Sequence, residues 1–413
     1  MMRLLAILIL LVLVVPWVDA QSDVKVVPEV LFKNLDFPDA LAFAPDGRIF
    51  FNEKNTGNIR VIQKGVLQSS PFATLRISNN GEQGLLGIAL DPSFARNGFV
   101  YVYYTYLDGS LYHGRITRFT AAGNTGTNPV HLFDVTDPTP QSTNHDGGYL
   151  KFGPDGKLYV QIGEFAVPSL SQDLSSNAGK ILRMNPDGSA PTNNPFKGSL
   201  VYAYGIRNAF GMDFDPNTHM LIETEAGPST DEINIITAGA NYGWPMCTGV
   251  CSNPAYADPI ITFNPATTPT GIAYGSPNTF YFGEWNTGEL KRLELTPDAG
   301  VRSVDQVFAL NTPAGGIVAV ERGPDGNIYF STTNAIYIYR LELRQTQTST
   351  TLISPITVST IGIIPTATTD SGHSFDSRQT FTLVAAVSVA LTIAIGWKLY
   401  RKVSRQSSKS EQT

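Results

Sequence analysis

The sequence predicts an all-β fold, a six-bladed propeller, and three observations predict it. An alternating apolar strand, a turn on Pro with Asp, Asn or Ser, and an aromatic-rich second strand recur six times. These are ALAFAPDGRIFF around Pro45, LGIALDPSFARNGFVYVYY around Pro92, YLKFGPDGKLYVQIG around Pro154, GMDFDPNTHMLIETE around Pro216, GIAYGSPNTFYFGEW around Pro277 and VAVERGPDGNIYFSTT around Pro324. The intervals between those prolines run from 47 to 62 residues, a period that belongs to propeller blades. The stretches between hairpins carry Gly, Pro, Asn and Thr with almost no helical period, as loops gathered on one face of a disc do. A two-sheet sandwich also yields many short strands, but the regular spacing favours the propeller.

Taken in order, the chain opens with Arg3, an apolar run from Leu4 to Val15, and Val18-Asp19-Ala20 before a polar segment. Residues 1–20 read as a secretory signal peptide, since the run is shorter than the roughly 20 residues of a spanning helix. The extended segment VKVVPEVLFKNL precedes the first hairpin and is placed to close the ring against the last blade, removing an exposed sheet edge. The propeller is expected over 21–343.

The third repeat holds the most informative stretch, Thr143 to Glu164. His145 stands just before Gly147-Gly148, and a strand, a Pro-Asp-Gly turn and a second strand follow at once. In the second arm Leu158, Val160 and Ile162 point one way while Tyr159 and Gln161 point the other. A histidine at the entrance of a rigid hairpin is fixed by the sheet and reachable by a ligand, as a general base must be. Without further context a structural hydrogen-bonding role is the commoner one for such a histidine. The two cysteines, Cys247 and Cys251, are too few for a zinc site and point to a local disulfide clip in an exported protein.

Residues 344–380 are rich in Thr, Ser and Pro and read as a stalk. Phe381 to Trp397 carries no charge, and 381–400 is expected to be a transmembrane helix. Lys398, Arg401, Lys402, Arg405 and Lys409 follow, which puts the tail 401–413 in the cytoplasm and the propeller outside the cell. With 29 Lys plus Arg against 35 Asp plus Glu and no basic block in the folded part, nucleic acid is excluded as a partner.

Four motifs carry a resemblance. GEQGLLGIALDPSFARNGFVYVYYT, NHDGGYLKFGPDGKLYVQIGE, GKILRMNPDGSAPTNNPF, and YAYGIRNAFGMDFDP followed by DEINIITAGANYGWP resemble, in order, the soluble quinoprotein glucose and sorbosone dehydrogenases. That family is a six-bladed propeller, in agreement with the repeat count. The resemblance implies that His145 is the base taking the proton from a sugar's anomeric hydroxyl as hydride passes to pyrroloquinoline quinone. It implies that Glu164, where the family has Asp, orients that histidine. It places Gln83, Arg207 and Asn208 on the quinone, with Arg207 stabilising developing negative charge. Gly227 and Pro228 match carbonyls that hold calcium on the cofactor, and Glu232 and Tyr242 match a second calcium site. Read from the residues alone, Arg207 is equally a structural arginine, and Asp231 and Glu232 equally cap a turn.

Two further departures concern charge. The family places a Lys in the fifth blade and two Arg in the last blade on the cofactor's carboxylates; here Asn286, Gly316 and Val318 stand at those places. Each such charge-assisted bond is worth roughly 1.5 to 3 kcal/mol, and Lys291, Arg292 and Arg322 are the nearby substitutes. The leading expectation is a membrane-anchored extracellular sugar dehydrogenase that uses pyrroloquinoline quinone and calcium, its electron acceptor unspecified. The alternative is a non-catalytic cell-surface propeller that binds a carbohydrate or protein. A calcium-dependent hydrolase needs a carboxylate cluster at the disc's centre, which the sequence does not reveal.

Overall fold

The computed structural model describes residues 27–136, 142–310 and 315–341, and in them six sheets follow one another along the chain. Blade one holds Pro38–Phe43, Ile49–Glu53, Asn58–Gln63 and Val66–Leu67, with Ala73–Thr74 also paired to its third strand. Blade two holds Leu85–Leu90, Phe99–Asp108, Leu111–Ala122 and Thr125–Thr136; blade three holds Leu150–Phe152, Leu158–Ile162, Lys180–Met184 and Val201–Tyr204. Blade four runs Ala209–Phe214, Leu221–Glu225, Asp231–Ile236 and Ile261–Phe263, and blade five Pro269–Ser276, Thr279–Glu284, Glu289–Leu295 and Val301–Ala309. Every one of the six repeat prolines falls between the first and second strand of its blade.

Blade six takes Val320–Arg322, Ile328–Ser331 and Ala335–Tyr339 from the end of the propeller and Glu29–Lys33 from its beginning. The N-terminal strand closes the ring, as its position predicted. The backbone groups that would form an exposed edge on the third strand of blade six are paired instead.

The second strand of blade three is buried on both faces, so the alternation read in the sequence there separates two interfaces, not core from solvent. Leu158, Val160 and Ile162 pack with Tyr101, Tyr103 and Ile116 of blade two. Tyr159 packs instead with Met212 and Phe214 of blade four, and the Gln161 amide donates to the Gly211 carbonyl there at 3.0 Å. All five residues of that strand are buried. At roughly 1.5 to 3 kcal/mol for each large apolar side chain, these interfaces dominate the stability of the ring.

Acidic side chains do converge at the centre, which the sequence did not reveal. Asp213 of blade four and Glu321 of blade six both meet Lys151 of blade three, at 3.0 Å and 2.8 Å, and Tyr149 donates to Glu321. One ammonium thus ties three inner strands. No group of three or more His, Cys, Asp or Glu among the described residues is arranged to hold a metal ion. The expected signal peptide, stalk, transmembrane segment and basic tail lie outside the described residues. Among the described residues no helix is long and apolar enough to cross a membrane.

Candidate active site

His145 lies in the approach to the inner strand of blade three, with φ of 63°. The left-handed conformation is costly for a residue with a side chain and persists only where its surroundings hold it. Here its N–H donates to Glu82 Oε2 at 2.8 Å and its carbonyl accepts from Phe165 N at 3.2 Å. Gly163 makes room for that carbonyl, because a Cβ at position 163 would stand 2.0 Å from it. Phe165 and Ala166 also have positive φ, so the strain is concentrated on both sides of the histidine.

The His145 Nδ1 is 2.9 Å from Glu164 Oε1, at ion-pair distance but out of line for a hydrogen bond, and the two side chains are 15% and 1% exposed. The longer carboxylate therefore still reaches the imidazole. With Nδ1 turned to the acid, Nε2 is the ring nitrogen left to meet a substrate. Glu164 N donates to the Arg207 carbonyl at 3.0 Å, which couples the pair to blade four.

Beside this pair opens a cavity of about 320 Å³ at the N-terminal ends of the inner strands. Phe37, Tyr149, Phe210 and Trp285 give it an aromatic wall, with Asp39, Lys54 and Glu82 as its charged members. Phe37 and Trp285 stack at 6.0 Å and 24°. Glu82 Oε2 accepts from both His145 N and Asn208 Nδ2, the latter at 3.0 Å, so it joins the histidine to the cavity wall. Sequence reading missed Lys54, Asp39, Glu82 and Trp285. The first three were visible only as charged residues at or near the ends of strands, and the fold supplies the convergence.

The other expected cofactor contacts are distributed differently. Gln83 is fully buried behind the loop, accepting from Ser78 Oγ at 2.7 Å and donating to the Ser142 carbonyl at 3.3 Å; it braces the approach to His145 and does not line the cavity. Arg207 donates to the Ala226 carbonyl at 2.6 Å, with its guanidinium 5.4 Å from the Trp244 ring centroid. It lines a small neighbouring cavity with Glu225, Gly227, Glu232 and Tyr242. Asn208 and Arg207 each keep one buried polar atom unbonded, Oδ1 and Nε.

None of the three substitute cations reaches the main cavity. Lys291 is held by Glu284 at 2.9 Å and Glu289 at 3.2 Å, Arg292 pairs with Asp305 at 2.8 Å, and Arg322 lines a cavity at the hairpin turns on the opposite face. Asn286 donates to Thr268 Oγ1 at 3.0 Å. Gly316 lies so close to Trp285 that any Cβ would fall 2.2 Å from its Cα, and Val318 presents an apolar wall. The aromatic walls and Lys54 nonetheless fit a planar quinone carrying an anionic group.

The residues matched to calcium sites are engaged within the chain. Gly227 N donates to Asp231 Oδ1 at 3.0 Å, while Asp231 Oδ2 accepts from Thr267 N and Thr268 N, both at 2.6 Å. Asp231 thus caps the turn. Glu232 accepts from Gly249 N and Tyr242 donates to the Ile235 carbonyl at 2.7 Å. Cys247 and Cys251 are disulfide-bonded, and their loop does more than clip the surface, because it delivers Gly249 N to Glu232.

Three buried carboxylates meet here. Burial pushes Glu223 up to about 8, and it raises Glu225 well above and Glu232 above the ordinary glutamate value of 4.5. The folded protein therefore binds protons that the unfolded chain releases, and their contribution to stability is lost as pH rises from about 4.5 through 8. The chelator-treated protein is expected to melt at a lower temperature at pH 8 than at pH 5. If calcium binds these oxygen ligands, adding it should flatten that dependence. Melting curves that ignore both pH and calcium would count against the assignment.

The glucose/sorbosone dehydrogenase family profile matches residues 35–339. The chain is 35% identical over 263 residues to quinoprotein glucose dehydrogenase B of Acinetobacter calcoaceticus, covering 55% of this chain and 54% of that protein. It is 35% identical over 235 residues to the aldose sugar dehydrogenase YliI of Escherichia coli, covering 53% and 62%. The structure of the PQQ-bound form of aldose sugar dehydrogenase from Streptomyces coelicolor superposes with a TM-score of 0.67 at 30% identity, covering 76% of this chain and 98% of that one. A propeller with this strand order, this histidine and carboxylate, and these matches belongs to the glucose/sorbosone dehydrogenase family of oxidoreductases.

Proposed function

We propose that the protein is a quinoprotein sugar dehydrogenase that oxidises an aldose at its anomeric carbon with pyrroloquinoline quinone and calcium. The observation that carries this reading is the His145–Glu164 pair, 2.9 Å apart and held by strained backbone beside an aromatic cavity. When bound, the quinone supplies a hydride acceptor. The chain's own residues supply the proton chemistry and the positioning. His145 Nε2 takes the proton of the anomeric hydroxyl, and Glu164 stabilises the imidazolium that forms. Asn208 holds Glu82 beside His145, Arg207 stands in the neighbouring small cavity, and the aromatic wall excludes water from the reacting end. The Gly227 and Pro228 carbonyls are the proposed calcium ligands at the cofactor, with Glu232 and Tyr242 beside the second ion.

The test is titration of the purified protein with pyrroloquinoline quinone in calcium buffer, followed by an aldose panel with an artificial electron acceptor. Turnover that needs both additions supports the reading. The apolar and uncharged residues at Asn286, Gly316 and Val318 favour a second reading, a cell-surface propeller that binds a carbohydrate or protein without turnover. Sugar binding with neither quinone binding nor oxidation would establish it.

The signal-like start, the apolar segment 381–400 and the basic residues after it support a single-pass protein with its propeller outside the cell. Protease applied to intact cells is expected to release a soluble fragment ending within 345–379. A propeller that resists until lysis would remove that location.

A further inference from the structure

The main cavity contains a lysine and an acid with bonding capacity that the reacting end does not use. Lys54 directly follows the second strand of blade one, its side chain buried, and its ammonium makes one hydrogen bond, to the Gly81 carbonyl at 2.9 Å. It also lies 5.2 Å from the Phe37 ring centroid. An ammonium has three donors, so two N–H groups remain for a ligand. Asp39, from the inner strand of the same blade, lines the same cavity and acts on Lys54 only through its charge. The acids around the ammonium are Asp39, Glu82 and Asp146. Glu82 is already engaged by His145 N and Asn208 Nδ2, and Asp146 is buried outside the cavity wall, which leaves Asp39 as the acceptor facing the open cavity. Burial pushes the Asp39 carboxyl up to about 7, which limits its repulsion of an anionic ligand near neutral pH.

A spare cationic donor beside a spare acceptor matches an edge that carries a carboxylate next to an N–H. Pyrroloquinoline quinone has such an edge in its pyrrole ring and the carboxylate beside the pyrrole nitrogen. We propose that Lys54 binds this carboxylate and Asp39 accepts the pyrrole N–H, so that blade one anchors the end of the cofactor that the cations of blades five and six do not reach here. The assignment rests on the proposed function, because it needs this cofactor in this cavity.

The experiment is direct binding to the full chain in detergent, read by quenching of tryptophan fluorescence, since Trp285 lines the cavity. Wild type, Lys54→Met and Asp39→Leu are each titrated with pyrroloquinoline quinone and with phenanthrenequinone, a planar quinone that has neither carboxylate nor N–H. Loss of a charge-assisted contact is expected to raise the Kd for pyrroloquinoline quinone about 10-fold or more in Lys54→Met, with a smaller rise in Asp39→Leu. The affinity for phenanthrenequinone is expected to stay at the wild-type value. Variants that bind pyrroloquinoline quinone as tightly as wild type, or that lose both quinones together, overturn the anchor and leave the proposed function standing. A wild-type protein that binds no pyrroloquinoline quinone overturns both.

Discussion

Replacing His145 by alanine is expected to lower kcat/KM for aldose oxidation by about 10²-fold or more, the usual cost of losing a positioned proton acceptor. The fold should survive, because the residue's structural bonds are made by its backbone N–H and carbonyl, which alanine retains. Alanine must still adopt the positive φ of 63°, so a modest stability loss is expected. Glu164→Gln removes the negative charge 2.9 Å from Nδ1 while keeping the shape, and should lower kcat more than it changes KM. Glu164→Asp tests the reach of the shorter acid, and retained activity would show that the site accepts either length. Wild-type turnover by His145→Ala in a protein that does oxidise sugars would remove the histidine from the proposed mechanism.

Lys151→Met is expected to be the most destabilising single change at the axis. The ammonium lies 3.0 Å from Asp213 and 2.8 Å from Glu321, with all three side chains largely buried. Although burial alone would lower its pKa, the carboxylates of Asp213 and Glu321 hold it well above the ordinary value, so the lysine stays charged across the neutral range. Removing it leaves two carboxylates facing each other without a cation, which costs about 3–5 kcal/mol for a broken buried pair. Denaturant melts of the wild type and variant measure this directly. Lys151→Met combined with Glu321→Gln should lose less than the sum of the single changes, because both act on one network. A loss below about 1 kcal/mol in the single variant would show that the axis is not pinned by this residue.

The sequence and the structure agree most closely where local chemistry acts alone. The six Pro-centred turns, the hairpins on either side of them and the closing strand Glu29–Lys33 are set by β propensity, turn residues and a period near 47 to 62 residues. The Cys247–Cys251 bond agrees with two cysteines only four residues apart, and the capping reading of Asp231 with the turn chemistry of its type. His145 and Glu164 were legible because their motif is continuous, and the structure brings them to 2.9 Å.

The cavity is another matter, because its wall is assembled from inner-strand ends of different blades. Lys54 follows, and Glu321 stands on, a strand of ordinary appearance, and nothing in their neighbourhood along the chain marks one as facing a cavity and the other as bonded to Lys151 from three blades away. For the same reason Lys291, Arg292 and Arg322, close in sequence to the missing cations, are turned to Glu284, to Asp305 and to the opposite face. Side-chain direction in a strand alternates with each residue, so a one-residue difference sends a charge into another interface. By itself the sequence determined the number of blades, the ring closure and the histidine with its acid, all written in local periods and one motif. Only the tertiary structure decided which charges meet across the axis and which face the cavity, because those distances depend on how six separately twisted sheets pack around one another.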